Sequence, residues 1–170
     1  MKRLTDPLDY LKEDMEQGVL TWKRQLPQWE TTPIERILKE AKAKTNDHSL
    51  PLVITYLRSS YITESHRFKL AIYQEEPFVD PPVYTAFLNL AFLYQDTCQQ
   101  LNALIQKART SSVRLLPDEM EEIRRCYLEQ LYQQSDCFFE EVIQKINSQA
   151  PAISVYFGEE MGKLRTLGVI

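Results

Sequence analysis

Histidine is scarce in this chain: only two are present, His48 and His66. The densest group of reactive side chains surrounds the second of them, at Tyr61, Glu64, Ser65, His66 and Arg67. On the helix expected here, Glu64 falls near the apolar stripe, where desolvation raises a carboxyl pKa and prepares it as a general acid or base. Ser65 and His66 are adjacent, about 100° apart around a helix, so they do not meet as nucleophile and base. An enzyme or ligand-binding reading therefore rests on Glu64, His66, Arg67 and Tyr61 in an interhelical pocket. The plainer reading pairs Glu64 with Arg67 or Arg58 and lets His66 cap or pack. The plainer one is preferred, and no catalytic residue is assigned.

Metal and cofactor chemistry lack their signatures. The residues three before the histidines are Thr45 and Thr63 rather than glutamate, so the helical Glu-x-x-His ligand pair is missing, as are His-Glu-x-x-His and Cys-x-x-Cys. No metal and no cofactor is expected. Of the three cysteines, Cys98 sits mid-stripe and reads as a small core residue. Cys126 follows Arg124 and Arg125 but has no histidine nearby in sequence. An odd cysteine count without metal spacing suits a reducing, cytoplasmic setting.

The elements that must hold these residues read as helices. Only four glycines occur, Gly18, Gly158, Gly162 and Gly168, and none lies between Val19 and Phe157. That gap excludes the phosphate-cradling loops and the strained nucleophile elbow, and it argues against a turn-rich β-sandwich. The nine prolines stand between the apolar-periodic stretches, where proline tolerates helix starts and would break interiors. A first helix is expected from Asp6 to Arg24 and a second from Thr32-Pro33, with Ile34, Ile37, Leu38 and Ala41 inward. A third spans about Leu50 to Gln74, with Leu50, Ile54, Leu57, Tyr61, Phe68 and Ile72 on one stripe. The fourth carries Tyr84, Phe87, Ala91, Tyr94, Cys98, Leu101, Ile105 and Ala108 at alternating steps of three and four. A fifth, from Pro117 to Asn147, carries Met120, Ile123, Tyr127, Leu131, Phe138, Val142 and Ile146. After Pro151 comes a short helix or tail, with an edge strand over Ile153–Phe157 as the alternative. The expected fold is an all-α, single-domain bundle of five or six mainly antiparallel helices, residues 1–150, followed by a C-terminal segment, 151–170.

The chain of 170 residues carries a net charge of −4, and residues 117–147 hold eight acidic and three basic side chains. An acidic helix face repels phosphate backbones, so no nucleic acid is expected. No apolar run approaches the roughly 20 residues that cross a bilayer, so no membrane is expected either. What remains is a non-catalytic interaction module, such as an adaptor, assembly factor or chaperone-like subunit. Its partner, another protein or a second copy, would meet Glu121, Glu122 and Glu129 with Arg124 and Arg125, or the apolar end at Leu167, Val169 and Ile170. Glu121 and Arg125, four apart, are also expected to pair.

Overall fold

A computed structural model describes residues 7–26, 31–44, 50–74, 76–111, 115–146 and 153–170. The expected N-cap at Asp6, and also His48, lie outside them. Two amphipathic helices open the chain, α1 (Pro7–Gln25) and α2 (Thr32–Ala43). Pro33 stands in the first turn of α2, where its missing amide costs nothing. They bury Leu11, Met15, Val19 and Trp22, and Ile34, Leu38 and Ala41, respectively.

The all-α expectation fails from residue 52 onward. The stretch read as a third helix is strand β1 (Leu52–Tyr56), a single turn of helix α3 (Arg58–Ile62) and strand β2 (Arg67–Ile72). All five residues of β1 are buried, so both of its faces are covered and no alternation of buried and exposed positions betrays a strand. The stretch read as a fourth helix is strand β3 (Tyr84–Asn89), a 3-10 turn (Ala91–Tyr94) and helix α4 (Thr97–Ser111). Its apparent three-and-four spacing spans two kinds of element. The expected fifth helix exists but breaks into α5 (Pro117–Gln133) and α6 (Asp136–Lys145), and the C-terminus forms strands β4 (Ser154–Glu159) and β5 (Leu164–Val169).

The strands make one mixed sheet in the order β3-β2-β1-β4-β5. β1 and β4 run parallel, and every other neighbouring pair is antiparallel. The parallel pair forces a long crossover between β3 and β4, and α4, α5 and α6 occupy it. The missing glycines did not prevent sharp turns. Glu64, His66, Phe78 and Met161 take positive φ values of 52°, 49°, 70° and 64° at the connections where glycine would be the usual choice. One glycine is required, in the β4–β5 hairpin: a Cβ on Gly158 would stand 2.3 Å from the Lys163 carbonyl oxygen.

The main core lies between the helices and one sheet face, formed by Leu52, Ile54 and Tyr56 of β1, Phe68, Leu70 and Ile72 of β2, and Val155 and Phe157 of β4. The opposite sheet face has its own small cluster of Val53, Ala71 and Tyr73, packed by Phe78, Tyr156 and Leu164. No side chain from a described helix takes part in that second cluster. Helices therefore cover one face of the sheet among the described residues.

Candidate functional site

The loop from α3 to β2 holds the sequence-predicted cluster, but not in the geometry of a helix. Glu64 and His66 both adopt the left-handed conformation, unfavourable for side chains with a Cβ and sustained only where surrounding contacts outweigh it. Those contacts are visible. The His66 ring stacks on Tyr94 with centroids 4.5 Å apart and planes 8° apart. Its Nδ1 lies 2.8 Å from the Tyr132 hydroxyl, and that hydroxyl donates to the Ser60 carbonyl at 3.3 Å. The proton arrangement satisfying both has Nδ1–H donating to Tyr132, which leaves the lone pair on Nε2.

The network continues into the break between α5 and α6. Ser135 does not cap α6 with its side chain; its hydroxyl donates to the Leu131 carbonyl at 3.0 Å. With that proton committed, the Tyr94 hydroxyl is the donor in its 2.6 Å contact with Ser135. Trp22 also stacks on Tyr94 at 6.0 Å and donates its indole N–H to the Leu93 carbonyl at 2.6 Å. Burial pushes the Tyr94 and Tyr132 hydroxyls above their ordinary range and the His66 imidazole below its own. The imidazole is therefore neutral at pH 7, and His66 Nδ1 and the hydroxyls of Tyr132, Tyr94 and Ser135 are each engaged with a neighbour.

Glu64 forms its ion pair with Arg124 of α5, not with Arg67 or Arg58 as expected from neighbours in sequence. Its side chain is 39% exposed, so it lacks the apolar surroundings that a helical stripe was expected to supply. Arg67 is exposed at the start of β2, and Tyr61 stands in α3. The structure thus brings Glu64 to Arg124 and His66 to two tyrosines.

The other predicted residues are dispersed. Glu121 and Glu122 are exposed on α5. Arg125 approaches Glu122 at 3.9 Å and Glu129 at 4.0 Å rather than the Glu121 partner expected. Leu167 packs partly into the main core, Val169 is half-exposed and Ile170 is fully buried. Ile170 exchanges two backbone hydrogen bonds with Ile153, at 2.9 and 3.0 Å. Cys98, expected in the core, is exposed. Among the described residues no cluster of His, Cys, Asp and Glu fits a metal ion, and no helix is long and apolar enough to cross a membrane.

A cleft of about 500 Å³ opens beside the β4–β5 hairpin, lined by Tyr56, Asp136, Phe157, Lys163 and Arg165 among others. Two of its charges are committed: Arg165 bridges Asp136 at 2.7 Å and, on α6, Glu140 at 2.5 Å.

The helix-free sheet face was missed at the sequence level. Its cross-strand row runs Phe87–Lys69–Thr55–Gly158–Leu164 through the register of the five strands. Lys69 pairs with Glu160 at 2.7 Å, and Thr55 donates to the same carboxylate at 2.6 Å. Burial alone would lower the Lys69 pKa, but the hydrogen bond and charge of Glu160 outweigh it and hold the ammonium above its ordinary value. The polar centre is thus closed, whereas the β3 end is open. Phe87 is 62% exposed and Val83 53%, and Val79 in the preceding turn is also exposed. β3 lies at the end of the sheet. Two signals were available in the sequence: the alternation Arg67-Phe68-Lys69-Leu70, and the absence of any charge from Pro81 to Gln95.

No family model, curated protein or solved structure matches this chain.

Proposed function

We propose that this protein is a non-catalytic interaction module, and that it engages a protein partner at the helix-free face and free edge of its sheet, along β3. The observation that carries this reading is Phe87. A large aromatic side chain stands 62% exposed on an edge strand within a charge-free stretch. Natural sheets usually guard their edges with lysine, proline inside the strand or a covering element. An unguarded aromatic edge suits a surface that is covered when the protein works.

The enzyme reading has less support, because the hydroxyls and Nδ1 of the His66 cluster are spent on one another and Glu64 on Arg124. The cluster acts instead as a clamp that holds the α3–β2 loop, the 3-10 turn and the α5–α6 junction in register. The odd cysteine count without metal-ligand spacing supports a cytoplasmic setting.

Affinity capture from the native cell, with the tagged chain as bait, tests the proposal. Proteins retained by the wild type and by Glu64→Gln but lost on Phe87→Lys are the expected result. Equal capture by Phe87→Lys, or no capture at all, overturns it.

A further inference from the structure

We infer that the β3 edge pairs with the β3 edge of a second copy of this chain, antiparallel across a two-fold axis, making one continuous sheet of two sets of strands. The inference rests on the interaction-module reading and names its partner. It follows from the phase of the hydrogen-bond ladder. The Leu90 amide donates to the His66 carbonyl at 2.9 Å, in step with the β2–β3 register. The Glu160 amide donates to the Tyr56 carbonyl at 2.9 Å, so even-numbered residues of β1 bond to β4 and odd-numbered ones to β2. Carried across the antiparallel register, this makes the even-numbered residues of β2 bond to β3. Both observations turn the backbone groups of Tyr84, Ala86 and Leu88 inward. They leave the N–H and C=O groups of Thr85, Phe87 and Asn89 directed away from the sheet.

Those three residues form a self-complementary set. With the axis at Phe87, Phe87 faces Phe87 of the other copy, and Thr85 faces Asn89 in both directions. Apolar meets apolar, polar meets polar, and each outward amide finds an outward carbonyl. A two-fold axis apposes identical side chains at its centre, so a charge at position 87 would face its own copy and the pairing calls for an uncharged residue there. The stretch from Pro81 to Gln95 contains no charged side chain in a chain that holds 44 of them. An edge adapted to a highly charged foreign strand would instead carry the complementary sign. Pro81 and Pro82 end the pairing on the N-terminal side, since neither supplies an amide.

Sedimentation of the full chain across a concentration series, together with register-specific cross-linking, tests the inference. The wild type should sediment at twice the chain mass, and Phe87→Lys, which apposes two ammonium groups at the axis, should raise the dissociation constant at least about tenfold. Thr85→Lys provides a second edge variant with a solvent-facing side chain. The double variant Thr85→Cys, Asn89→Cys should form a covalent dimer on mild oxidation, above the background of wild type oxidised in parallel. Thr85→Cys alone should not, because its two copies lie four residues out of register. A monomeric wild type, a dimer indifferent to both lysine variants, or equal cross-linking by the single cysteine overturns the self-pairing. A monomer that still captures another protein in a Phe87-dependent way defeats only the second-copy assignment. A monomer without such capture defeats the interaction reading as well.

Discussion

At the scale of single residues, His66 is the most informative side chain. It holds a backbone conformation that costs of the order of 1–3 kcal/mol, and it does so by stacking on Tyr94 and bonding Tyr132. Burial lowers its pKa from the ordinary 6.5, so the unfolded chain takes up a proton before the folded chain does. Stability should be complete above pH 6.5 and decline as the pH falls toward the folded-state pKa. Urea unfolding at pH 7.5 and pH 5 will show a loss for the wild type that is smaller in His66→Asn; an equal loss would remove His66 from the account. Tyr132→Phe deletes the hydroxyl shared by His66 and Ser60 and should cost about 1 kcal/mol. A Tyr132→Phe unfolding midpoint matching the wild type would show that the clamp is carried by ring stacking alone. The presence of Glu64 and His66 in one structural feature was legible from the sequence. Their partners Arg124, Tyr94 and Tyr132 lie far away in the chain, and no local periodicity points to them.

At the scale of elements, α1 and α2 follow their sequence signals because each is a single amphipathic stripe with a start signal. The stretch 50–74 misleads for a physical reason. Leu50, Ile54, Leu57 and Tyr61 repeat at helical steps, but they belong to an approach, a strand and a turn. Strand β1 hides its alternation by being buried on both faces. The α5–α6 break is similarly hidden, since the side chain that marks it, Ser135, acts by bonding Leu131 and Tyr94. The C-terminal strand is integral to the sheet. Its final residue Ile170 is fully buried, so Ile170→Ala should cost about 2–5 kcal/mol. Removal of residues 163–170 strips an edge strand from β4 and should abolish a cooperative melt followed by circular dichroism. A truncated chain that melts near the wild-type temperature would return the segment to the status of a dispensable tail.

At the scale of the whole molecule, the arrangement is asymmetric: helices on one sheet face, a small aromatic-rimmed cluster on the other. One core cluster unites residues from both N-terminal helices, the crossover helices and the strands, including Ile153, Val155 and Ile170. The C-terminal segment is therefore expected to unfold with the rest in a single transition. Far-ultraviolet circular dichroism and the fluorescence of Trp22, packed against Tyr94, should report coincident midpoints. Separate midpoints would divide the chain into independent units. The same asymmetry places Phe87, the most exposed aromatic side chain among the described large hydrophobics at 62%, on the face that helices leave free. That placement turns a fold into a proposal about partners.

The sequence by itself determined the N-terminal helices, the absence of phosphate-binding and metal-binding signatures, and the concentration of acid over residues 117–147, which form α5 and α6. These properties depend on neighbours within a turn or two, on residue types that are simply missing, or on charge counts. The tertiary structure alone decided the sheet, the Glu64–Arg124 pair, the His66 clamp and the free edge at Phe87. Strand pairing is non-local, and β1 finds its parallel partner β4 about a hundred residues away. The scarcity of glycine argues for proline-punctuated helices and against a turn-rich β-sandwich. The molecule turns at Glu64, His66, Phe78 and Met161 instead, because tertiary contacts can outweigh a local conformational cost that sequence patterns register only as a preference.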